Sequence, residues 1–392
     1  MSTQEQRIDV FNDTQNWINS DKNLSDAFDY AKKHTQVFYE DDYPRYDHRP
    51  LIPDQRVCVS PDRSFQAAMR LRGENKDAKI AVMNFANAFH AGGGVTKGSS
   101  AQEESLCRTS TLYPLLYRRT LRDSFYKHHY DLNTPKASDS LIYTEGVIIC
   151  KTDEDLPQRM PKEKWVSVDV ITVAAPDLRS KTNMYADLIG GGSMMNKAEL
   201  FGYHVKRAIH ILTCAAAMGA DILVLGAFGC GAFENDPEVV AQAYRIALSV
   251  FPKVFSIVEF AVYCPPSGSV NYEVFKRVLG EEDALNDFFY YKDRPAQIPI
   301  RRERFDYLLN RYAPDDSQRW YMVSRPNHFL IYDNKTKCCV YDATYIEFED
   351  IKDGNSIVAV ISNIRINTYN LPKDVEDGRE VVLLLRLLNE DL

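Results

Sequence analysis

The chain has 392 residues, of which 45% are hydrophobic and 26% are charged, a composition typical of a globular protein with two or three domains. The formal net charge of −8 and the sequence pI near 5.6 argue against duplex nucleic acid as the main partner, because phosphate binding needs a clustered basic surface. The polar N-terminal residues and the lack of a long apolar run argue against a signal peptide and a membrane partner, so we expect a cytoplasmic location, or a nuclear one in a eukaryote.

Residues 1–76 are predicted to form an N-terminal helical accessory region. Apolar residues recur at helical spacing in Leu24–Phe38 and Ser64–Arg72. The segment Glu40–Pro53 between them is rich in Tyr, Asp and Pro, which is typical of a loop.

Residues 77–285 are predicted to form an α/β domain, because short Val- and Ile-rich runs alternate with amphipathic helices. The predicted strands are Ile80–Phe85, Gly146–Lys151, Val166–Ala174, Ile222–Gly226 and Val254–Cys264. The predicted helices are Ser193–Met218, a helix that begins at Asp236-Pro237, and Asn271–Leu279. This order predicts a three-layer α/β/α core around a mixed sheet.

Residues 290–392 are predicted to form a separate β-rich domain of unknown role. A charged, proline-containing stretch, Arg294–Arg304, leads to strand-like runs at Trp320–Tyr332, Lys337–Phe348, Ile357–Tyr369 and Val381–Leu388. Three arginines in that stretch are interpreted as a solvated surface, with binding of an anionic polymer as the alternative; they are Arg301, Arg302 and Arg304.

The eight cysteines and eight histidines show no CxxC pair, no regular spacing and no HExxH arrangement. The sequence therefore predicts neither a disulfide framework nor a metal site, and we expect no cofactor. The cysteines are interpreted as mostly reduced packing residues.

The most informative segment is a triple glycine followed by two adjacent carboxylates. The first predicted strand of the α/β domain leads into Gly92-Gly93-Gly94, and Gln102-Glu103-Glu104 opens a helix. Glycines let backbone amides approach a substrate without Cβ obstruction, and a carboxyl group beside a loop that excludes water can act as a general acid. The alternative is structural, since Ser100 and Glu103 have the spacing of a capping box, which does not need Glu104.

A nucleophile–base pair of Cys107 and His90 near this motif is disfavoured. Cys107 would lie about one turn into the helix after Glu104, and no third group that could orient the pair is apparent.

A second glycine loop, Gly226–Phe233, follows another predicted strand and precedes a helix. Ligands of open α/β sheets bind beyond the carboxyl ends of strands, and such a loop can present N–H groups to a phosphate or diphosphate. The loop matches neither a Walker loop nor the dinucleotide pattern, and a simple turn is the alternative. Phe233 is favoured over Phe228 as an aromatic contact for a ribose or base, and Cys230 is interpreted as a packing residue.

Together the two loops resemble the microbial type of poly(ADP-ribose) glycohydrolase. The triple glycine and Gln102-Glu103-Glu104 are similar to the signature of that family, and Asn84–Asn87 and Leu106–Tyr113 resemble its microbial branch. The loop Gly226–Phe233 is similar to the family's diphosphate-binding loop. The resemblance covers about residues 1–280 and implies a macrodomain-like core with an ADP-ribose site.

The resemblance also implies hydrolysis of the O-glycosidic bond between ADP-ribose units. The implied partners are poly(ADP-ribose) or ADP-ribosylated macromolecules, with ADP-ribose as product. By position, Glu104 corresponds to the catalytic acid and Glu103 to the carboxylate that holds the ribose of the bond being cut. The candidate substrate-binding residues are Asn87, Gly93, Gly94, Gln102, Gly226, Phe228, Gly229, Cys230, Gly231, Ala232 and Phe233.

Two other functions stay open at this point. One is a module that binds ADP-ribose without cleaving it, although the retained pair Glu103 and Glu104 counts against that function. The other is a hydrolase that removes a single ADP-ribose from a protein, a nucleobase or a small acceptor.

Overall fold

The computed structural model describes residues 2–179 apart from positions 41, 43, 47, 48 and 53, then residue 195, residues 197–280, and five strands between 291 and 367. The chain divides into two compact units. The first comprises Met1–Met195, Arg207–Arg245 and Lys253–Ala284, and the second comprises Asn196–Lys206, Ile246–Pro252 and Leu285–Leu392. In the described part of the chain, no helix is long and apolar enough to cross a membrane.

The described residues form ten α-helices. In chain order they are α1 (Thr3–Ser20), α2 (Lys22–Lys33), α3 (Ser64–Glu74), α4 (Gln102–Thr109), α5 (Leu112–Leu116), α6 (Arg119–Leu121), α7 (Lys127–Leu132), α8 (Lys197–Ala217), α9 (Pro237–Val250) and α10 (Val270–Leu279). A π-helical turn, Arg122–Tyr126, joins α6 to α7, and 3₁₀ turns occur at Val95–Lys97 and Lys162–Lys164.

Seven strands form a mixed sheet in the first unit. They are β1 (Thr35–Phe38), β2 (Arg56–Ser60), β3 (Ile80–Ala86), β4 (Leu141–Ile149), β5 (Val166–Ala174), β6 (Ile222–Leu225) and β7 (Ile257–Ala261). The sheet order is β1-β4-β5-β3-β6-β7-β2. Only β4 pairs antiparallel with its neighbours, β1 and β5, while the other pairs are parallel.

Helices cover both faces of this sheet. Successive residues of a strand point to opposite faces, and on β3 Ile80 and Val82 share a core with Leu71 of α3. On the other face, the Tyr244 hydroxyl of α9 donates to the Met83 sulfur at 3.4 Å. The predicted α/β/α arrangement with a mixed sheet is therefore confirmed.

Several element boundaries agree with the sequence prediction. Strand β5 has the predicted bounds, and α9 begins at Pro237 as expected, with the Asp236 side chain accepting from the Glu238 N–H at 3.0 Å. Helix α8 lies within the predicted Ser193–Met218, although positions 193, 194 and 196 are outside the described residues.

The N-terminal prediction needs two corrections. The helix predicted over Leu24–Phe38 is wrong at its end, because α2 stops at Lys33 and Thr35–Phe38 pairs as a strand with β4. Pairing at a sheet edge overrides the local helical pattern there. Helix α1 and strand β2 were not predicted, so residues 1–76 contribute three helices and also both edge strands.

Strand β4 begins earlier than predicted. Gly146 was taken as the start of a strand, but it lies inside β4, where the register with β5 shifts between Thr144 and Val147. Its φ of 73° is in the left-handed region, so this glycine marks a β-bulge rather than a strand end.

Five antiparallel strands form the sheet of the second unit. They are β8 (Tyr291–Arg301), β9 (Trp320–Arg325), β10 (His328–Asp333), β11 (Cys338–Glu347) and β12 (Ile357–Asn367), in the order β8-β12-β11-β10-β9. This confirms the β-rich character of the C-terminal region. The division of the chain at residues 76, 285 and 290 stays a prediction.

The stretch Arg294–Arg304 was expected to be a connection, but most of it belongs to β8. An edge strand tolerates proline, because one row of its N–H groups needs no ladder partner, and β8, which contains Pro295 and Pro299, is an edge strand. The predicted strand Val381–Leu388 and the side chains of the arginine cluster lie outside the described residues.

Candidate active site

A cavity of 1410 Å³ lies beyond the carboxyl ends of four parallel strands. Its wall includes residues that follow each of these strands: Asn87 after β3, Ala175 after β5, Ala227 after β6 and Val262 after β7. Open α/β sheets bind ligands at this edge, and both glycine loops contribute to the wall.

Glu103 lies in the first turn of α4 and is only 3% exposed. Its Oε2 accepts from the Asn87 N–H at 2.8 Å, and its Oε1 accepts from the Gly92 N–H at 3.2 Å. Burial, together with the neighbouring charge of Glu104, raises the pKa of Glu103 from 4.5 to about 8, against the opposing effect of the two N–H donors. The carboxyl group is therefore mostly protonated at neutral pH.

Glu104 is the next residue of α4 and is 7% exposed. Its Oε1 accepts from the Gly94 N–H at 2.8 Å, whereas its buried Oε2 has no hydrogen-bond partner among the described residues. An N–H group can only donate, so Oε1 acts as an acceptor. A proton on this carboxyl group therefore belongs on Oε2, which is left for a ligand.

The capping-box interpretation of Ser100 and Glu103 is wrong. The N-cap of α4 is Ala101, and no side chain caps the helix. Glu103 cannot serve the cap because both of its oxygens are occupied by backbone N–H groups of the preceding loop. The two carboxylates therefore belong to the cavity wall rather than to the helix end.

The triple glycine also works differently from the prediction. We expected its amides to face a substrate, but Gly92 donates to Glu103, Gly93 to the His90 carbonyl oxygen at 2.9 Å, and Gly94 to Glu104. A Cβ on Gly93 would lie 2.5 Å from the Glu104 Oε1, and the Gly93 φ is 55°. The glycines thus allow the loop to approach the two carboxylates closely.

Gln102 connects the helix to the sheet. Its Oε1 accepts from the Phe85 N–H at 2.9 Å, and its Nε2 donates to the Ser64 hydroxyl at 3.0 Å and to the Met83 carbonyl oxygen at 2.7 Å. Both amide hydrogens are used within the protein, so the side chain positions α4 against the end of β3.

Asn87 lines the cavity, and its side-chain amide uses only its oxygen in hydrogen bonds with the described residues. Its Oδ1 accepts from the N–H groups of Phe89 at 2.8 Å and His90 at 3.0 Å. Its Nδ2 has no acceptor among the described residues, and Asn87 lines the cavity. This donor is therefore available to a ligand beside Glu103.

The second loop is held from behind by the buried amide of Asn235. Its Nδ2 lies within hydrogen-bond distance of the carbonyl oxygens of Pro176, Gly229 and Phe233, at 2.7, 3.2 and 3.1 Å. These contacts fix the loop through its carbonyl oxygens and use none of its N–H groups. Four backbone N–H groups of cavity-lining residues have no acceptor among the described residues, and they belong to Gly229, Gly231, Ala232 and Phe233.

Two predicted residues of this loop do not reach the cavity wall. A Cβ on Gly226 would lie 2.7 Å from the Ala261 carbonyl oxygen, so this glycine is required by packing. The Cys230 thiol donates to the Phe228 carbonyl oxygen at 3.6 Å, and burial raises its pKa. Neither residue lines the cavity.

The two phenylalanines of the loop differ in exposure. Phe228 is 1% exposed and packs against Phe85, with ring centroids 5.7 Å apart. Phe233 is half-buried, and the Arg179 guanidinium lies 5.2 Å from its ring centroid. Both line the cavity, but Phe233 offers more ring surface to a ligand.

The disfavoured pair of Cys107 and His90 finds no support in the structure. Cys107 is fully buried in the core, and burial raises its thiol pKa well above the usual value. A thiol in that setting is inert as a nucleophile.

Sequence reasoning missed several residues of the site. Asn235 carries a weak signal, as a polar residue just before the Asp-Pro that starts α9. Arg179 follows β5, and a search of every strand end for charged residues, rather than for glycine alone, would have found it. Tyr126 also lines the cavity, and no motif points to it.

Comparison with known proteins agrees with this geometry. The family model described as microbial-type PARG, catalytic domain, matches residues 6–152. The structure of poly(ADP-ribose) glycohydrolase from Thermomonospora curvata bound to the inhibitor ADP-HPD is 29% identical, with a TM-score of 0.57, over 70% of this chain and 99% of that one. No curated protein sequence matches this chain.

A second solved structure is poly(ADP-ribose) glycohydrolase from Deinococcus radiodurans in complex with ADP-ribose. It is 30% identical, with a TM-score of 0.53, and the match covers 64% of this chain and 95% of that one. With the matching family model and the carboxylate pair at the sheet edge, this likeness shows that the chain belongs to the microbial-type poly(ADP-ribose) glycohydrolase family.

Proposed function

We propose that Glu104 of this glycohydrolase is the general acid and base in hydrolysis of the ribose–ribose O-glycosidic bond of poly(ADP-ribose), which releases ADP-ribose. The observation that carries the proposal is the asymmetry of the Glu104 carboxyl group. One oxygen is fixed by the Gly94 N–H, and the other is buried without a partner among the described residues. A buried oxygen without a hydrogen bond costs free energy, and a ligand that forms a hydrogen bond with it removes this cost.

The proposed reaction proceeds in two proton transfers. Protonated Glu104 donates its Oε2 hydrogen to the departing ribose oxygen while the glycosidic C–O bond breaks and an oxocarbenium-like centre develops. The resulting carboxylate then accepts a proton from water as the water oxygen bonds to that carbon. Glu104 ends protonated, as it began.

Glu103 has a supporting role in this proposal. Burial keeps its carboxyl group mostly neutral at pH 7, since its pKa is raised to about 8. A neutral Glu103 adds no negative charge beside an anionic substrate. Its position beside Asn87 supports a contact with the ribose of the bond being cut.

The order of the strands supports one orientation of ADP-ribose along the sheet edge. The carboxylates follow β3, and the next strand, β6, carries the loop whose four N–H groups without an acceptor in the described part of the chain suit a diphosphate. The Arg179 guanidinium, which is paired with the Asp177 carboxylate, also lies beside that loop. The adenosine then extends towards β7 and β2, where Tyr263 is 43% exposed and lies 4.2 Å from the Arg63 guanidinium.

The test compares two substrates. Purified protein is incubated with poly(ADP-ribose) and, separately, with a mono-ADP-ribosylated protein, and released ADP-ribose is quantified by chromatography. We expect release from the polymer at a much higher rate. Binding of the polymer without release would indicate a binding module, and faster release from the mono-modified protein would indicate the other hydrolase activity.

The macrodomain classification of the core is also a proposal, supported by its strand order and by the ligand edge described above. A cytoplasmic location is a proposal that cell fractionation tests.

A further inference from the structure

Tyr126 has a buried hydroxyl beside the proposed active site that forms no hydrogen bond with the described residues. The residue is 3% exposed and lines the cavity. Its buried hydroxyl oxygen has no hydrogen-bond partner among the described residues. Burying a hydroxyl without a hydrogen-bond partner costs free energy, and phenylalanine would fill the same space without this cost.

Other tyrosines of the interior do not share this property. The Tyr143 hydroxyl donates to Asp169 at 2.7 Å, and the Tyr244 hydroxyl donates to the Met83 sulfur at 3.4 Å. Neither tyrosine lines the cavity. In this comparison, the tyrosine without a partner is the one that lies in the cavity wall.

The local backbone at Tyr126 is also unusual. The residue ends the π-helical turn Arg122–Tyr126, which is inserted between α6 and α7. π-Helical turns are rare in proteins, and many of those that occur lie at functional sites. Here the widened turn buries two consecutive aromatic side chains, Phe125 and Tyr126, whose ring centroids lie 5.2 Å apart in an edge-to-face contact.

The hydroxyl is in the right state to donate. Tyr126 packs in the same core as Leu106 and Cys107 of α4, the helix that carries Glu103. Burial, with the charge of Glu103 as a smaller effect, raises the pKa of Tyr126 well above its usual value. The phenol therefore keeps its proton throughout the neutral range and can donate or accept a hydrogen bond.

We propose that the Tyr126 hydroxyl binds a hydroxyl group of the ribose whose glycosidic bond is cut, next to Glu103, and that it is a specificity residue for this sugar. The inference rests on the proposed function. A ribose ring presents adjacent hydroxyl groups, and each of them can donate and accept a hydrogen bond. One ribose can therefore form a hydrogen bond with the Tyr126 hydroxyl and another with the Glu104 Oε2, the two oxygens that have no partner among the described residues.

The test measures binding of ADP-ribose and of ADP, which lacks the distal ribose, by titration calorimetry. For Tyr126→Phe we expect the Kd of ADP-ribose to rise roughly tenfold and the Kd of ADP to stay within about twofold of wild type. The ligand-free Tm should equal or exceed that of wild type, since the substitution removes an unsatisfied hydroxyl.

Tyr143→Phe is the matched control. It removes a hydroxyl that is bonded to Asp169, so its Tm should fall while both Kd values stay at the wild-type level. A Tyr126→Phe protein that binds ADP-ribose like wild type, or that loses affinity for ADP-ribose and ADP equally, overturns the inference alone. A wild-type protein that binds neither ligand overturns the proposed function and this inference with it.

Discussion

The two glycine loops at the edge of the sheet use glycine in opposite ways. In the loop Gly92–Gly94 every amide donates to a group of the protein itself, and two of the three donate to the carboxyl groups of Glu103 and Glu104. In the loop Gly229–Phe233 four amides that line the cavity have no acceptor among the described residues. The first loop thus holds the two carboxyl groups, whereas the second has cavity-lining N–H groups that are not used within the described part of the protein.

This difference shows that a glycine-rich motif does not by itself say what its backbone contacts. A Cβ on Gly93 would collide with Glu104, whereas a Cβ on Gly231 would meet nothing within 4 Å. The contrast predicts different consequences for the same substitution at the two positions.

Of the substitutions in the two loops, Gly93→Ala is expected to have the largest effect on turnover. The added methyl group displaces Glu104 from its hydrogen bond with Gly94, and the left-handed φ adds strain. A displacement of about 1 Å costs on the order of 100-fold in turnover, so we expect kcat on poly(ADP-ribose) to fall by about that factor. Steady-state kinetics measure this loss. A kcat equal to that of wild type would contradict the inference that the first loop, unlike the second, positions the carboxyl groups.

The pH dependence of stability tests the carboxylates that the first loop holds. Glu103 keeps its proton in the folded protein up to a pKa of about 8, whereas the unfolded chain releases it near 4.5. The stabilising contribution of this group is complete below pH 4.5 and is lost as the pH rises to about 8, by on the order of 1 kcal/mol per pH unit.

Glu103→Gln cannot titrate at this position. The free energy of unfolding of the variant minus that of wild type should therefore increase as the pH rises from 5 to 8. Urea denaturation at several pH values measures this difference. Parallel pH profiles for the two proteins would contradict the raised pKa of Glu103.

The frame of the second loop is tested by Asn235→Ala. The substitution removes the amide that contacts the carbonyl oxygens of Pro176, Gly229 and Phe233, which should cost about 1–3 kcal/mol of stability. We also expect weaker ADP-ribose binding, because the cavity-lining amides of the loop lose their fixed arrangement. Asn75→Ala, which removes an amide bonded to the Leu71 carbonyl oxygen away from the cavity, should leave ADP-ribose affinity unchanged.

The smallest effect is expected for Gly231→Ala. Because no atom lies within 4 Å of the added Cβ, the Tm should not change. The methyl group would stand between the backbone amides and a diphosphate, so the Kd of ADP-ribose should rise roughly tenfold with kcat at saturation near wild type. A lower Tm with an unchanged Kd would show that this glycine serves the fold instead.

The sequence predicted the parts of the molecule that depend on local pattern. Strand β5 and the start of α9 were predicted correctly, and both glycine loops were placed at the ends of strands. The strand Thr35–Phe38 was missed because its stability comes from pairing with β4, more than 100 residues away in the chain.

The same limit applies within the active site. The spacing of Ser100 and Glu103 fits a cap, yet Glu103 bonds to Asn87 and Gly92 instead, and only the folded backbone reveals this choice. Tyr126 has no motif at all, since its importance follows from an absent hydrogen bond in the described structure. Sequence patterns identify elements and motifs, but contacts between distant residues decide which polar groups remain for a ligand.

The central claim is that Glu104 transfers the proton while the second loop binds the substrate. Its most direct test is Glu104→Gln, with turnover of poly(ADP-ribose) and the Kd of ADP-ribose measured on the same preparation. Glu163→Gln, an exposed change outside the cavity, is the control. We predict that Glu104→Gln keeps its ADP-ribose affinity within about threefold and loses about 10²- to 10⁴-fold in kcat. Near-native turnover by this variant would contradict the assignment.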